Sequence, residues 1–452
     1  MASRVRRGDA VFLYGLGTMS IPDPTTAGDF CRRFDHDQVL ALQEAINRAR
    51  LRVWAAQPAS FLSTPAVIDA DATIVAPGAE TKEGMSLSYN GIWGYSALLV
   101  SLANTKEPLY LGLLGANRPS HEGVVDYFDR AIALCRQAGF AQIRLRGDND
   151  YALTAQFDRF DSDGVTFVVG LDARTNLIGR ADSCEEEMYY QLVTRPERTI
   201  ATKARARPGK IKDDIVADRN YKVLRQKAED VVEFSYRPGK CTRDYRVVAL
   251  RQNISVERGD NVLFEEYRYF FYVTNEREMT ASEVVDQARQ RCNQENLHTQ
   301  LKSDVRALHA PVDTLAANWA YMTIATLAWS LKAWCALLLP IRPRWAERHN
   351  QQRRRLLTME FHTFVAAFID IRSTSPPRSS PRAGACGGAS WPTTRGSGRF
   401  SACSKPSDRR QAAADNQPSP AGASATPRTG RDSTTDAKTR WPKIPNHGSL
   451  RP

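Results

Sequence analysis

Alternation between apolar and polar residues marks an early strand of the chain. Between residues 66 and 75, apolar side chains occupy every second position from Ile68 to Ile74, and Asp69 and Asp71 lie between them. This period of two predicts a β-strand with one apolar face and one polar face. The strand therefore presents a pair of carboxylates on a single face.

The segments that follow predict a mixed sheet. They are a hairpin with strands at 95–103 and 108–115, a helix at 121–138, a strand at 141–146, a short helix at 151–160 and an apolar strand at 165–171. Antiparallel strands followed by parallel strands with crossover helices give the order of a ribonuclease-H-like sheet, so the predicted fold class is α/β. In that order the first and fourth strands lie side by side, which would bring Asp71 next to Asp148.

A late segment, residues 281–308, predicts a single amphipathic helix. The polar residues whose spacing stacks them along one face are Arg291, Glu295, His298 and Lys302. Leucines occupy the opposite side of the same helix. Two cations that flank one carboxylate on a helix suit an anionic ligand.

Composition and element order divide the chain into five segments. They are residues 1–64, a short N-terminal helical remnant; 65–173, the first part of a catalytic core; 174–265, a β-rich insertion; 266–371, the second part of the core with the helix that carries Glu295; and 372–452, a basic tail. Ser, Thr, Pro, Gly, Ala and Arg dominate the tail, which cannot bury enough apolar surface to offset its ordering entropy. The tail is therefore predicted to be disordered.

The basic charge of the chain is concentrated in that tail. The chain carries 62 Lys and Arg residues against 50 Asp and Glu residues, a net charge of +12. Residues 372–452 hold 14 of the basic and 4 of the acidic residues, so residues 1–371 hold 48 and 46, a net of +2. The total charge is therefore weak evidence for nucleic-acid binding by the body of the chain.

Cysteine spacing and hydropathy indicate an intracellular protein. None of the eight cysteines forms a Cys-x-x-Cys pair, which argues against a zinc or redox motif and fits a reducing cytosol. The apolar segment 312–339 contains Asp313 and Lys332 and favours a buried helix over a membrane span. We expect no signal peptide, no membrane association and a cytoplasmic location.

Three carboxylates are the candidate metal ligands. Phosphodiester cleavage near neutral pH needs an activated water and a stabilised leaving oxyanion, and two divalent ions supply both. Because Mg²⁺ prefers carboxylate oxygens, Asp71, Asp148 and Glu295 are predicted to be catalytic and to bind two Mg²⁺ ions, with Mn²⁺ as a substitute. Asp69 competes with Asp71 for this role. The alternative for Asp148 is a turn or helix cap, a role that Asp150 fits better.

The polar face of the predicted late helix also offers candidate DNA contacts. Arg291 and Lys302 suit the phosphates on either side of the cleaved bond, Arg through two hydrogen bonds and Lys as a point charge. His298 suits a polar contact better than a metal ligand. The ordinary alternative for this face is an intrahelical ion pair between Arg291 and Glu295.

A second candidate DNA contact is a hairpin predicted around the turn 237–240. Tyr236 precedes this turn, and Arg237 and Lys240 lie within it. Aromatic side chains can stack on splayed bases while cations follow the phosphate backbone. An ordinary amphipathic hairpin explains the same pattern equally well.

Taken together, these motifs resemble bacterial insertion-sequence transposases of the DDE class. The resemblance extends from about residue 23 to about residue 371. It rests on residues 71–73, 146–151, 291–296 with Lys302, and 25–34, which resemble the segment that leads into the family's catalytic domain. Within the class, the chain is similar to the group whose third segment reads Tyr-x2-Arg-x3-Glu-x6-Lys.

The resemblance implies a ribonuclease-H-like catalytic domain, Mg²⁺ dependence and cut-and-paste DNA transposition. It maps the catalytic triad onto Asp71, Asp148 and Glu295. The implied partners are the terminal inverted repeats of the element and target DNA, bound by a homodimer on paired ends. The implied location is the bacterial cytoplasm, in association with the nucleoid.

Three departures from the family pattern leave rival interpretations open. Ala288 stands where the group has its tyrosine, and the segment before the first strand is shorter than the family's N-terminal domain. The change of composition at residue 372 suggests a frameshift in a decaying element. The rivals are a nuclease or resolvase on the same fold without strand transfer, and an inactive DNA-binding remnant.

Overall fold

A large mixed β-sheet with helices on both faces forms the architecture. The structure, a computed structural model, describes residues 7, 9–15, 17–78, 81–192, 221–223, 229–253, 256–258, 261–264 and 267–370. The predicted disordered tail, 372–452, lies outside the described residues, and so does 193–220 of the predicted insertion.

Helices and strands are numbered in chain order. The helices are α1 Ala10–Gly15, α2 Pro24–Cys31, α3 His36–Ala55, α4 Ala59–Ser63, α5 Val124–Ala138, α6 Thr154–Ser162, α7 Thr175–Asp182, α8 Ala281–Gln290, α9 Asn293–Ser303, α10 Leu315–Leu337, α11 Ala346–Thr358 and α12 Phe361–Phe364. The strands are β1 Ala66–Val75, β2 Ser86–Leu87, β3 Trp93–Leu102, β4 Glu107–Gly115, β5 Ile143–Gly147, β6 Val165–Leu171, β7 Tyr190–Gln191, β8 Tyr221–Val223, β9 Glu229–Tyr236, β10 Tyr245–Asn253, β11 Val256–Arg258, β12 Asn261–Phe264 and β13 Tyr267–Thr274. Short 3₁₀ turns occur at Asn149–Tyr151, Glu186–Met188 and Pro343–Trp345, and a π-helical turn at Val365–Ile369 continues α12.

The central part of the sheet has the strand order β4-β3-β1-β5-β6. Strand β3 is antiparallel to both β1 and β4, whereas β5 is parallel to both β1 and β6. These are the order and orientations of a ribonuclease-H-like sheet, so the predicted α/β fold class is confirmed. As expected, the first and fourth of these strands along the chain, β1 and β5, are neighbours.

The strands of the predicted insertion extend this same sheet. Strand β13 pairs antiparallel with β6, β10 lies between β13 and β9, and β7 pairs with β9 at the far edge. The backbone of β8, β11 and β12 forms a small separate sheet. The predicted hairpin is therefore continuous with the central strands through β13. The domain boundaries at residues 174 and 265 stay a prediction.

Strand β3 shows how two packing layers enclose the sheet. Leu98 and Val100 lie in a buried cluster with residues of α5, whereas Ala97 and Leu99 lie in a second cluster with residues of α10. Successive side chains of a strand point to opposite faces, so a strand covered on both faces needs an uninterrupted apolar sequence. This requirement explains the continuous apolar run that the sequence shows here.

A buried ion pair joins the N-terminal helix α3 to the core. The side chains of Arg50 and Glu107 are almost fully buried, and Arg50 Nε lies 3.0 Å from Glu107 Oε1. The indole N–H groups of Trp54 and Trp334 also donate to this carboxylate, at 3.1 Å and 2.6 Å. Glu107 therefore connects α3, β4 and α10, and α3 packs as part of the same core.

The observed helices differ from the predicted ones in three places. The single helix predicted at 281–308 is wrong, because Arg291 and Cys292 separate α8 from α9. The apolar pattern of residues 356–371 also predicts a helix, whereas the observed helix α11 begins earlier, at Ala346, and ends at Thr358, before α12. Helices α1 and α2 occupy a stretch for which no helix was predicted. Within the described residues, no helix combines the length and apolar character needed to cross a lipid bilayer.

Candidate active site

Asp71 and Asp148 lie next to each other at the centre of the sheet. Strands β1 and β5 run parallel, with Asp69 opposite Arg146. Two residues further along both chain segments, the same register brings Asp71 beside Asp148. The site thus lies at the carboxyl end of β5, the end of the strands at which α/β folds commonly carry their functional groups.

A tight turn after β5 orients the Asp148 carboxylate. Asp148 Oδ1 accepts a hydrogen bond from the backbone N–H of Asp150 at 3.1 Å, so this oxygen caps the following 3₁₀ turn. A Cβ atom at Gly147 would lie 2.5 Å from Cβ of Tyr151, so the turn requires glycine there. Asp150 instead accepts a hydrogen bond from Ser120 Oγ at 2.7 Å. Asp148 therefore has the capping role that was considered for it, through Oδ1, and its Oδ2 atom faces the site.

The break between α8 and α9 brings Arg291 to the two aspartates. At the break, hydrogen bonds run from Arg291 N to Ala288 O and from Cys292 N to Arg289 O, a 3₁₀ pattern that tightens the turn. The sequence has no proline or glycine here. The cause is tertiary, because the next residues are held against β3.

Gln294 is the residue that holds α9 against β3. Its side chain is buried, its Nε2 donates to Leu99 O at 2.8 Å, and its Oε1 accepts from Ser101 Oγ at 3.0 Å. These two bonds fix the first turn of α9 to a rigid strand. Gln294 was not among the site residues predicted from the sequence, because its side-chain type alone does not indicate burial.

Arg291 lies between the two carboxylates. Its Nη1 atom is 3.7 Å from Asp71 Oδ2 and 3.6 Å from Asp148 Oδ2. Both separations are too long for hydrogen bonds, so the contact is one of charge. The ordinary alternative, an ion pair of Arg291 with Glu295, does not occur among the ion pairs of the described residues.

The paired aspartates carry more negative charge than their surroundings compensate. Burial raises the pKa of Asp71 to about 6, against the opposing effect of Arg291, and the neighbouring Asp148 raises it further. Burial likewise raises the pKa of Asp148. A divalent cation would supply the missing positive charge, and Mg²⁺ prefers such carboxylate oxygens. Asp71 and Asp148 therefore fit a metal site.

His298 packs against Asp71. Its Nδ1 atom lies 3.7 Å from Asp71 Oδ2, and burial lowers the pKa of the imidazole to about 4, so the ring is neutral at physiological pH. Its Nε2 atom is buried without a hydrogen-bond partner in the described structure. The role of His298 in binding DNA stays a prediction.

Lys302 reaches the far end of β1 instead of open solvent. Its Nζ atom donates to Thr73 Oγ1 at 2.6 Å and to Ile74 O at 2.9 Å. Burial lowers the pKa of this ammonium group. The side chain lines the same cleft as Asp71 and Asp148. The role of Lys302 in binding phosphate stays a prediction.

Glu295 lies on the exposed side of α9, one turn beyond Arg291. Its charge is the smallest of the causes that raise the pKa of Asp71. Among the described residues, no group of three or more His, Cys, Asp or Glu side chains is close enough to hold a metal ion. The structure thus brings Asp71 and Asp148 together and leaves Glu295 outside that pair.

A buried ion pair between Arg146 and Asp69, which was not predicted from the sequence, joins the two strands that position Asp71 and Asp148. Arg146 Nε and Nη2 donate to the two oxygens of Asp69 at 2.7 Å and 2.8 Å, and both side chains are buried. Arg146 Nη1 also donates to Gln287 O at 3.0 Å, which links the pair to α8. Asp69 is therefore engaged and does not compete with Asp71. The available signal was Arg146 next to the apolar Leu145 in a strand of the sheet centre.

The predicted DNA contacts of the hairpin have partners within the protein. Tyr236 accepts a hydrogen bond from Asn176 Nδ2 at 3.1 Å, and its ring lies beneath the guanidinium of Arg180. Arg237 pairs with Asp244 across the turn at 2.7 Å. Lys240 is exposed. The role of Tyr236, Arg237 and Lys240 in binding DNA stays a prediction.

A cleft of about 740 Å³ opens over the two carboxylates. Asp71, Asp148 and Lys302 line one part of the cleft. The other lining residues include the loop 116–121 and, from the hairpin between β2 and β3, Tyr89, Asn90 and Ile92. The cleft therefore joins the acidic site to a polar loop and an exposed turn.

A ribonuclease-H-like sheet with paired aspartates on its central strands is typical of DDE-class transposases. The chain belongs to this class: the model of the family described as transposase DDE domain group 1 matches residues 7–359. The predicted membership of the DDE class is thereby confirmed.

Similarity to individual proteins is low. Among solved structures, the chain is similar to a piggyBac transposase in a synaptic complex with hairpin DNA, at 10% identity and a TM-score of 0.31. The alignment covers 69% of this chain and 55% of that one, so the chain spans about half the length of that transposase. No curated protein matches the chain.

Proposed function

We propose that this protein is a DNA transposase that hydrolyses phosphodiester bonds at the ends of a mobile element and transfers the freed strand into target DNA. Membership of the DDE transposase family supports the general activity. The observation that carries the proposal is the pair Asp71 and Asp148, which lie side by side with a raised pKa at Asp71 and with Arg291 between them. Such a pair could bind divalent cations that in turn contact a phosphate of the DNA.

Asp71 and Asp148 would hold the metal, and Glu295 would complete the ligand set from α9. Two bound Mg²⁺ ions, or Mn²⁺ in their place, would activate the attacking hydroxyl and stabilise the leaving oxyanion. Glu295 is exposed one turn from Arg291, so it needs a shift of its side chain or of α9 toward the aspartates. Gln294 limits the extent of any such shift, because it anchors the same turn.

The remaining side chains bind and orient the DNA. Arg291 would donate two hydrogen bonds to a phosphate once a cation neutralises the aspartates beside it. Lys302 would add a point charge at the other end of β1. His298 is neutral and would keep Asp71 oriented by a polar contact. Strand transfer would reuse this arrangement, with a 3′-hydroxyl in place of water.

The wider assignments follow from the same proposal. The partners would be terminal inverted repeats and target DNA, bound by a homodimer on paired ends in the bacterial cytoplasm. The hairpin residues Tyr236, Arg237 and Lys240 would contact DNA outside the catalytic cleft. The segments 65–173 and 266–371 would together form the catalytic domain.

A second candidate function is DNA binding without cleavage. The exposed position of Glu295, outside any close group of three metal-binding side chains in the described residues, favours it. In this case the chain would occupy element ends and compete with active copies. A nuclease without strand transfer would cleave the DNA as the transposase does, and it would differ only in forming no product joined to target DNA.

A nicking assay on a labelled duplex carrying the element's own terminal repeat tests these alternatives. Wild type is expected to cleave with Mg²⁺ and to stop in EDTA, and both Asp71→Asn and Glu295→Gln are expected to abolish cleavage. Glu347→Gln is the matched control, because Glu347 is also an exposed helical glutamate. Binding without cleavage by wild type would support the second candidate. Equal cleavage by wild type and Glu295→Gln would remove Glu295 from the site.

A further inference from the structure

A group of exposed apolar side chains lies on the hairpin between β2 and β3, beside the cleft. Tyr89 is 96% exposed, and Leu87 and Trp93 are 55% and 45% exposed. We call residues 87–93 the aromatic tip. Side chains of this size normally avoid water, and a group of them next to a candidate site indicates a binding surface.

The aromatic tip is held in one conformation. Ser88 N donates to Ile92 O at 2.8 Å, and Ile92 N donates to Ser88 Oγ at 2.9 Å, which closes the turn from both sides. Gly91 has a φ of 79°, a left-handed conformation that favours glycine. A turn ordered before binding presents Tyr89 at little further cost in conformational entropy.

Close contacts fix the position of the tip relative to the carboxylates. At Gly94, immediately after the tip, a Cβ atom would lie 2.2 Å from Val75 O, so the hairpin backbone rests directly on the end of β1. Asp71 lies on the same strand. Ser86 Oγ accepts a hydrogen bond from Asn117 N at 2.9 Å, which joins the hairpin to the loop on the other wall of the cleft.

We propose that the aromatic tip stacks on an unpaired nucleobase of the DNA strand whose phosphate lies at Asp71 and Asp148. This inference rests on the proposed function, because it takes DNA as the occupant of the cleft. One cleft of about 740 Å³ is lined by Tyr89 and also by the two carboxylates and Lys302. A nucleotide has the matching parts, an anionic phosphate and a flat base.

The geometry favours an unpaired base over a base pair. A base within a duplex has both faces covered by its neighbours, so an aromatic side chain can stack on it only after it leaves the stack. Base–aromatic stacking tolerates any sequence, since every base has a flat π face. The tip would therefore favour distorted or single-stranded DNA near the cleaved bond, whatever the element's sequence.

The test compares two oligomers that differ only in their bases. The probes are a thymidine oligomer of about 12 nucleotides, within the site sizes known for single-strand binders, and an abasic oligomer of the same length. Both carry the same phosphates, so backbone contacts bind them equally. Affinities are measured in EDTA, which prevents metal-dependent cleavage.

Wild type is expected to prefer the thymidine oligomer, and Tyr89→Ala is expected to weaken its binding by roughly 5- to 150-fold while leaving the abasic oligomer unaffected. Tyr89→Phe should retain the preference, because the ring is kept. Tyr14→Ala is the matched control, since Tyr14 is 88% exposed and lies on α1. Because Tyr89 is almost fully exposed, its replacement does not disturb the core.

Two outcomes would overturn the inference. One is equal binding of both oligomers by wild type, which would leave the tip as a surface for a protein partner or a second copy. The other is an equal loss for both oligomers in Tyr89→Ala, which would mark a backbone contact. The result is separable from the proposed function: a Tyr89-dependent preference without Mg²⁺-dependent nicking would uphold the stacking site and refute the catalytic proposal.

Discussion

Replacing Asp71 with asparagine is expected to stabilise the protein at neutral pH. The buried carboxylate titrates with a pKa of about 6, against an ordinary value of 3.8. A raised folded-state pKa means that this group favours folding only while it is protonated. Its contribution is present below pH 3.8 and is lost as the pH rises through 6. Above that pH the charged carboxylate destabilises the fold, and an uncharged amide of similar shape removes the penalty.

The size of the effect follows from the pKa difference. A rise from 3.8 to about 6 corresponds to about 3 kcal/mol in the free energy of unfolding. The Asp71 side chain is only 16% exposed, so solvent screens little of this amount. Urea unfolding in EDTA should therefore show Asp71→Asn more stable by up to about 3 kcal/mol near pH 7.5. The gap should shrink to about 1 kcal/mol near pH 4.5.

Metal provides an independent check of this prediction. Mg²⁺ that binds only the folded protein stabilises it by mass action, so it should raise the stability of wild type more than that of Asp71→Asn. The gap between the two proteins should therefore narrow as Mg²⁺ is added. A constant gap would show that Asp71 does not contribute to cation binding.

Asp69→Asn is the internal control on the same strand. Burial raises the pKa of Asp69 as well, but this carboxylate is paired with a buried arginine, so the opposite sign is expected. Asp69 forms two hydrogen bonds with buried Arg146, and its replacement leaves that guanidinium without its counter-charge. The expected loss of stability is about 3–5 kcal/mol. If Asp71→Asn were no more stable than wild type near neutral pH in EDTA, the argument from uncompensated charge would be wrong.

Three further predictions concern other residues of the site and core. Arg291→Gln should bind Mn²⁺ several-fold more tightly than wild type, measured by electron paramagnetic resonance, because a cation no longer competes for the two carboxylates; weaker binding would contradict this. Glu107→Gln should lower the free energy of unfolding by about 3–5 kcal/mol, since it leaves Arg50 buried without a counter-charge; an unchanged thermal midpoint would refute it. Gln294→Ala should speed cleavage without changing DNA binding, because it removes the anchor that limits the shift of Glu295 toward the aspartates; a parallel loss of cleavage and binding would contradict this.

The apolar–polar alternation and the order of elements were sufficient to predict the central strands of the sheet. The alternation in β1 and the order of elements that follows give the neighbours of each central strand, and the parallel register then brings Asp71 beside Asp148. Nothing beyond strand order and a period of two is needed for that juxtaposition. The hairpin of β9 and β10 was recognised from its turn. Its union with the central sheet was not, because a strand's sequence does not specify which edge it joins.

The arrangement around Arg291 shows what a helical pattern leaves out. The spacing of Arg291 and Glu295 predicts that they share one helical face, yet the helix breaks between them. The break places Arg291 against the aspartates and leaves Glu295 exposed. The cause is the anchoring of Gln294 on β3, through contacts with residues 193 and 195 positions earlier in the sequence. Periodicity in the sequence describes an isolated helix, whereas here a contact with the sheet determines where the helix ends. The same anchoring that separates Glu295 from the aspartates also keeps it within one helical turn of Arg291. Because Arg291 lies at the end of α8, a movement of α9 would change the position of Glu295 relative to Arg291 and the aspartates.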